Sequence, residues 1–518
     1  MHLRVRRRPH PGRKPGAMLA RTPFPMRNGT LLAAIDLGSN SFRLEIGRLD
    51  HHHVRRVEYL KETVRQGSGL DEARNLSAEA MERGWACLAR FAERLAGFTR
   101  AQVRAVATQT LREARNREVF LARAQEILGF PIDVISGREE ARLIYQGVAH
   151  LLPQSDERRL VVDIGGRSTE LILGCQYQAE AMESYRVGSV AWSMRHFADG
   201  QFSAAAFEQA EIAAKAVLDE AAPVYARAAW DVAYGASGTI GAVADVLEAS
   251  GAPAGEVSRD GLEWLRQELI QARSADRVRL PALKDDRRPV IGGGLSVLRA
   301  VFDLLSIERM QAAEGALRHG VLHDLLDRED AGTDVRTATV DRLAARFGVD
   351  EPQAARVGRF AAHFLRQLQP GAGEPAQREQ RELAWAARLH EIGSLISHSD
   401  YHKHGAYVLE HADAAGFAQS ELHRLGCLVL GHRGKLRKLD AELADPAFVR
   451  QLLCLRLAVI LCHARRDADL HGLRLRAGPG SHALALPPGW AAAYPQSAHL
   501  LREEALAWQK TAWAFALD

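Results

Sequence analysis

The sequence predicts an α/β protein of two similar halves followed by a mainly helical part, and three observations predict it. The first is a repeated pattern. "LLAAIDLGSNSFRLEIGRL" from Leu31 and "RRLVVDIGGRSTELILGC" from Arg158 each run from a short apolar stretch through Asp, one apolar residue, Gly and a polar turn into a second apolar stretch. Asp36 and Asp163 hold equivalent places 127 residues apart. That spacing is far too long for a solenoid repeat and suits two α/β halves facing each other across a cleft. The second observation is alternation of strand-like and helix-like stretches through both halves. The third is a change of texture near Asp327, after which the pattern is almost wholly helical.

Taken in order, strands are predicted over 31–36, 42–49 and 54–60. "SAEAMERGWACLARFAERLAGF" carries apolar residues at helical spacing, with Ser77 as its cap and Glu79 one residue early for an ideal capping box. "VRAVATQTLREA" and "PIDVISGREEARLIYQGVAHLL" each change from strand to helix. In the second half, "VAYGASGTIGAVADVL" and "PVIGGGLSVLRAVFDLL" each predict a strand, a Gly-rich turn and a helix. "REDAGTDVR" is a charged linker, and "LRLRAGPGSHALALPPGW" predicts a hairpin followed by a helix. The expected units are a basic flexible extension at 1–29, α/β domains at 30–155 and 156–325, a helical domain at 335–475 and a hairpin and helix subdomain at 476–518.

A chain of 518 residues needs several cores, and 47% apolar with 25% charged residues is ordinary globular composition. No apolar run reaches the ~18 residues a membrane span needs. The net charge of +4 comes from the head: residues 1–29 hold eight Lys/Arg and no acid, leaving 60 bases against 64 acids elsewhere. The head lacks the apolar core of a secretory signal and is read as a flexible extension rather than a nucleic-acid-binding arm. Met18 and Met26 are alternative starts within it. No dedicated nucleic-acid site is expected elsewhere. Five widely spaced cysteines with no Cys-x-x-Cys pair predict reduced thiols and a cytoplasmic location.

Turns rich in Gly, Ser, Asn and Thr present amides and hydroxyls to a phosphate oxygen. Gly38, Ser39, Asn40 and Ser41 form one such turn, and Gly165, Gly166, Ser168 and Thr169 the other. Both join two strands, so neither is a Walker loop. A carboxylate beside an anion-binding turn is explained by a metal: Asp36 and Asp163 can hold Mg²⁺ or its water shell.

At these residues the chain resembles the exopolyphosphatase and guanosine-pentaphosphate phosphohydrolase (Ppx/GppA) family. "AAIDLGSNSFRL", "ATQTLREA", "ISGREEARLIYQGV", "VVDIGGRSTELILG", "YGASGTI" and "EGALRHGVL" resemble family motifs in family order, from about residue 31 to the C-terminus. The resemblance implies two duplicated domains of the actin, chaperone-ATPase and sugar-kinase type (ribonuclease H-like), followed by a helical HD-like domain. It also implies hydrolysis of the terminal phosphate from a phosphoanhydride chain. Glu140 falls on the family's catalytic base, with Glu139 the lesser candidate; read alone, both would be helix N-terminal stabilisers. Glu170 joins Asp163 near the metal, and Thr108 and Arg112 lie beside the cleft, Arg112 clamping phosphate oxygens. Gly238 sits in the loop that lies near a nucleoside in kinase relatives; here that loop either contains phosphate or is only a turn. Arg167 replaces a family glycine, which costs of order 1–2 kcal/mol if the position needs positive φ; its guanidinium is expected to reinforce the phosphate site. The implied cofactor is Mg²⁺, with a monovalent cation such as K⁺ as a second candidate, and the implied assembly is a homodimer.

Seven histidines lie between His390 and His432. "ARLHEIG" resembles the His-Asp signature of HD phosphohydrolases, yet Glu391 replaces the metal-binding Asp, so no active second metal centre is expected there. His404 and Arg433, with neighbouring Lys and Arg residues, make either a positive path for a long polyanion or a solvated basic helix end. "HSDYHKHGAYVLEHADAAGF" resembles the exopolyphosphatase branch, which ranks inorganic polyphosphate first as substrate. Guanosine pentaphosphate is the alternative, and a weakly catalytic phosphate-chain sensor a third reading.

Overall fold

The computed structural model describes residues 27–518 apart from positions 52, 329–332, 370, 372 and 468. The expected extension therefore lies outside the described residues up to 26, and residues 329–332 of the expected linker lie outside them too. At the boundary, Gly29 is already tied to the fold, its N–H donating to the Leu49 carbonyl at 2.8 Å.

The first half is built on β1 (Leu31–Leu37), β2 (Ser41–Asp50), β3 (His53–Thr63), β4 (Val103–Ala107) and β5 (Ile132–Val134), in the order β3-β2-β1-β4-β5. β1 runs antiparallel to β2 and parallel to β4. The second half repeats this arrangement. Its strands are β6 (Arg158–Ile164), β7 (Thr169–Cys175), β8 (Gln178–Tyr185), β9 (Val232–Ala236), β10 (Glu256–Ser258) and β11 (Arg309–Ala312), in the order β10-β11-β9-β6-β7-β8. β6 takes the place of β1, antiparallel to β7 and parallel to β9, and β10 is an added edge strand.

Strand alternation determines what each sheet shows its partner. Ala33, Ile35 and Leu37 join the core of the first half, while Leu32 and Ala34 turn the other way. In β6, Leu160, Val162 and Ile164 enter the second core and Val161 turns away. The side chains that turn away share one layer with the helices Gly137–Ala149 and Leu317–Arg328. These helices cross at glycine. A Cβ on Gly320 would collide with the Leu143 carbonyl, and one on Gly147 would stand 2.7 Å from the Gly320 nitrogen.

"PVIGGG" is not the predicted strand. Pro289 lies in a short 3₁₀ turn and Gly292–Gly294 form the first turn of the helix Ile291–Leu304. The glycines serve close packing: Gly293 N–H donates to Ser193 Oγ at 3.1 Å, and a Cβ on Gly292 would meet the Phe202 ring at 2.7 Å. Beyond 334 the fold is helical. Its tail carries the hairpin β12 (Arg474–Gly478) and β13 (Ser481–Ala485) and the helix Pro495–Trp508, then adds an unpredicted strand, β14 (Ala514–Leu517), parallel to β13. Leu475, Leu484, Trp508 and Phe515 share one apolar core with Val340 through Leu461, so the tail is not a separate packing unit. All five cysteines are free, and no described helix is long and apolar enough to cross a membrane.

Candidate active site

The alternation that buries Leu32 and Val161 between the halves carries the acids with them. Asp36 follows Leu32 and Ala34 on β1, Asp163 follows Val161 on β6, and Glu170 precedes Ile172 on β7, so all three carboxylates face the shared layer. The backbone register sets Asp36 opposite Arg43 and Asp163 opposite Glu170. The two halves thus hold an acid–base pair and an acid–acid pair at equivalent places. Arg43 Nη1 donates to Asp36 Oδ2 at 2.8 Å. Ser184 Oγ donates to Glu170 Oε1 at 2.7 Å.

Glu140 arrives from the intervening helix. Ser136 caps that helix, its Oγ accepting from the Glu139 amide at 3.1 Å. Glu140 Oε2 accepts from Arg112 Nη1 at 2.7 Å, while the same nitrogen donates to the Ile135 carbonyl at 2.9 Å. Burial pushes the Glu140 carboxyl above its ordinary value; Arg112 opposes the shift and Asp36 adds to it. Burial, then the charge of Glu140, pushes Asp163 up to about 7 against the pull of Arg43. Burial followed by Glu140 and Asp163 pushes Glu170 well above the usual carboxylate range.

Both turns open on one cleft of about 400 Å³, lined also by Asp36, Asp163, Thr108, Glu140 and Gly238. They touch each other: a Cβ on Gly166 would sit 3.1 Å from Ser39 Cβ and 3.6 Å from the Asn40 nitrogen. Asn40 Nδ2 and Ser41 Oγ are buried there without a hydrogen-bond partner. Unpaired donors of this kind are costly unless a ligand takes them. The neighbouring loop adds strain, since Ser237 holds φ at 88°, an arrangement that concentrates at ligand sites.

With this geometry in place, the comparison with known proteins is decisive for the family. The Ppx/GppA phosphatase family matches residues 46–329, and Ppx/GppA phosphatase domain III matches residues 335–505. The chain belongs to the Ppx/GppA phosphatase family. A solved exopolyphosphatase-like protein is 27% identical over 57% of this chain and 97% of its own, with a TM-score of 0.52. An exopolyphosphatase from Cytophaga hutchinsonii is 23% identical over 57% and 98%, with a TM-score of 0.51.

Several expected site residues stand elsewhere. Arg112 does not line the cleft; its guanidinium is engaged by Glu140, the Ile135 carbonyl and Gln109. Its guanidinium is taken up by the Glu140 carboxylate instead of facing the cleft. Arg167 is not among the residues with positive φ, so no strain arises from replacing glycine. Its guanidinium leaves the phosphate site, donating to Glu113 Oε2 at 2.9 and 3.1 Å and to the Gly67 carbonyl at 3.1 Å. It is a strut between the halves. Thr169 Oγ1 donates to the Val187 carbonyl at 2.6 Å and is fully buried, so Ser168 alone of that pair faces the cleft. Glu170 stands beside Asp163 but does not line the cleft. His404 and Arg433 belong to the helical region and do not line it; Arg433 lies 4.9 Å over the Tyr401 ring. Glu391 accepts from Arg465 Nη2 at 2.8 Å.

The sequence reading missed the cations. Arg43, Lys61, Lys284, Arg287 and Arg318 all line the cleft. Lys61 Nζ donates to Asp286 at 3.2 Å, and Arg287 packs its guanidinium onto Gly238. Lys61 lies on β3 and Lys284 and Arg287 on a loop, none of them in a motif. The available signals were Arg43, which occupies the place of Glu170 in the repeat, and Arg318, which falls in "EGALRHGVL" at the start of the helix Leu317–Arg328.

Proposed function

We propose that this protein is an exopolyphosphatase that removes the terminal phosphate of inorganic polyphosphate, releasing orthophosphate. The observation that carries the reading is the meeting of two anion-binding turns, a buried acid with raised proton affinity and a cationic wall in one cleft. In this mechanism the unpaired Asn40 and Ser41 donors and the turn amides hold the oxygens of the terminal phosphate. Glu140, oriented by Arg112, takes a proton from water as the water oxygen attacks phosphorus. The anhydride P–O bond breaks, and its electron pair stays on the bridging oxygen of the shortened chain. A proton affinity raised above the ordinary carboxylate value suits a general base. Lys61, Lys284, Arg287 and Arg318 neutralise the rest of the chain at the wall of the cleft.

Asp36 and Asp163, which line the cleft, supply only hard carboxylate oxygens, with Glu170 adding its charge from beside Asp163, and a cation relieves their mutual repulsion, so the donor set fits Mg²⁺. Bound there, the ion would withdraw charge from the phosphate being transferred. Polyphosphate is ranked above guanosine pentaphosphate because, among the described residues, Tyr59 is the single aromatic one lining the cleft. Arg318 already lies over one face of its ring at 4.9 Å and competes with guanine for stacking there. Side-by-side phosphate release from the two substrates on purified protein tests this. Higher kcat/KM on polyphosphate, falling steeply with salt, is expected. Higher kcat/KM on guanosine pentaphosphate would transfer the assignment to that substrate. Binding without turnover of either would make the protein a sensor.

A further inference from the structure

The helical region carries a second cluster of ligating side chains, remote in kind from the oxygen donors of the cleft. On the helix Gln419–Gly431, His423 and Cys427 stand one turn apart and face the short 3₁₀ helix Glu442–Ala444. His423 Nε2 lies 3.6 Å from Cys427 Sγ and 3.4 Å from Glu442 Oε1. All three ligand atoms lie within 4.8 Å of one another. We propose that His423, Cys427 and Glu442 bind a divalent cation of the zinc class, with water in the fourth position.

The distances support this. A tetrahedral zinc with Zn–N of ~2.0–2.1 Å and Zn–S of ~2.3 Å has an N···S edge of ~3.5 Å and an N···O edge of ~3.4 Å. The cluster presents both edges without rearrangement. One thiolate, one imidazole and one carboxylate select zinc-like ions over Mg²⁺, which takes oxygen ligands. The other imidazole nitrogen is also supported: Glu410 Oε1 stands 3.5 Å from His423 Nδ1, in the place where metal-bound histidines receive a carboxylate partner. Cys427 is buried while His423 is exposed, so the ion would have solvent access and its sulfur ligand would be shielded. His423 and Glu442 also border a cavity of about 650 Å³ between the first half and the helical region, with Arg104 and Asp133 on one side and Arg336 and Arg424 on the other. An ion here would brace the wall of that cavity.

The test is titration of the full-length protein with Zn²⁺ and Co²⁺ in saturating Mg²⁺, which covers the acids of the cleft. Expected are one Zn²⁺ per chain and, with Co²⁺, a thiolate-to-metal charge-transfer band. No cysteine lines the cleft among the described residues, so that band reports this site. Cys427→Ser should abolish the band and weaken Zn²⁺ binding at least ten-fold, and His423→Ala and Glu442→Gln should weaken it similarly, with phosphatase activity in Mg²⁺ unchanged. Glu140→Gln should leave Zn²⁺ binding untouched. Equal Zn²⁺ uptake by wild type and the Cys427→Ser/His423→Ala double variant, or Co²⁺ bound without a thiolate band, overturns the proposal. Retained activity shows that the variants are folded, so a loss of binding cannot be ascribed to unfolding.

Discussion

Glu139 and Glu140 are neighbours in sequence with opposite surroundings. Glu139 is fully enclosed, its two oxygens accepting from Arg142 Nη2 and Nε at 2.8 Å each and from the Gly416 amide at 2.7 Å. Glu140 has one cationic partner and an open side on the cleft. Substituting them should therefore separate catalysis from stability. Glu140→Gln is expected to lower kcat by ~10²–10⁴ while KM and Tm hold, as loss of a general base does. Glu139→Gln is expected to lower stability by about 3 kcal/mol, the range for breaking a buried ion pair, and to leave a well-folded fraction with near-normal kcat; thermal melts and steady-state rates on both variants check this. Arg112 supplies the pH test. Its charge opposes the upward shift of Glu140, so Arg112→Gln should raise the proton affinity of Glu140 further. Because the base works deprotonated, the acid limb of the kcat/KM profile should move to higher pH, with activity partly regained at alkaline pH. An unmoved acid limb would mean that Arg112 does not act through Glu140.

At the scale of elements, the helix that carries Glu140 is placed by its crossing with Leu317–Arg328. Gly147 and Gly320 let the two backbones approach, so Gly320→Ala forces them apart. The expected cost is about 1–3 kcal/mol from overpacking, read as a lower Tm, with kcat falling because Glu140 rides on the displaced helix. Much of this architecture was legible. Short apolar runs ending in Asp marked β1 and β6, and the repeated Asp-x-Gly turn marked the duplication, because strand and turn signals are local. What was not legible depends on neighbours distant in the chain. "PVIGGG" reads as strand and turn until Ser193 and Phe202 are seen packed against its glycines. Arg167 reads as a phosphate ligand until Glu113, 54 residues earlier, is found beside it. The cationic wall was invisible for the same reason: Lys61 and Arg287 come from opposite halves and meet only after folding.

Across the whole molecule, the two α/β halves share an apolar layer, and ion pairs tie the helical region to them. Asp324 accepts from Arg104 and Arg142 of the first half and from Arg328 of its own helix at 2.7 Å. Arg328 reaches the Gly416 carbonyl, and Arg336 Nη1 donates to Glu421 Oε1 at 2.8 Å, so the segment 416–421 of the helical region docks directly behind Glu139. These pairings hold Asp324 far below the usual carboxylate range and Glu421 at about 2, where Arg328 and Arg336 outweigh burial. A carboxyl depressed by folding contributes stability above its ordinary value of 4.5 and loses it as pH falls toward its folded value. The docked state should accordingly weaken between about pH 4.5 and about pH 2. Thermal melts across this window should show Tm falling with acid for wild type. Glu421→Gln, which cannot titrate, should start lower at neutral pH and fall less steeply. Parallel curves for the two proteins would place the acid-labile contact elsewhere. The proximity of Glu139 to the docking segment gives the outcome a functional reading, since loosening at 416–421 removes the anchor one residue away from the base.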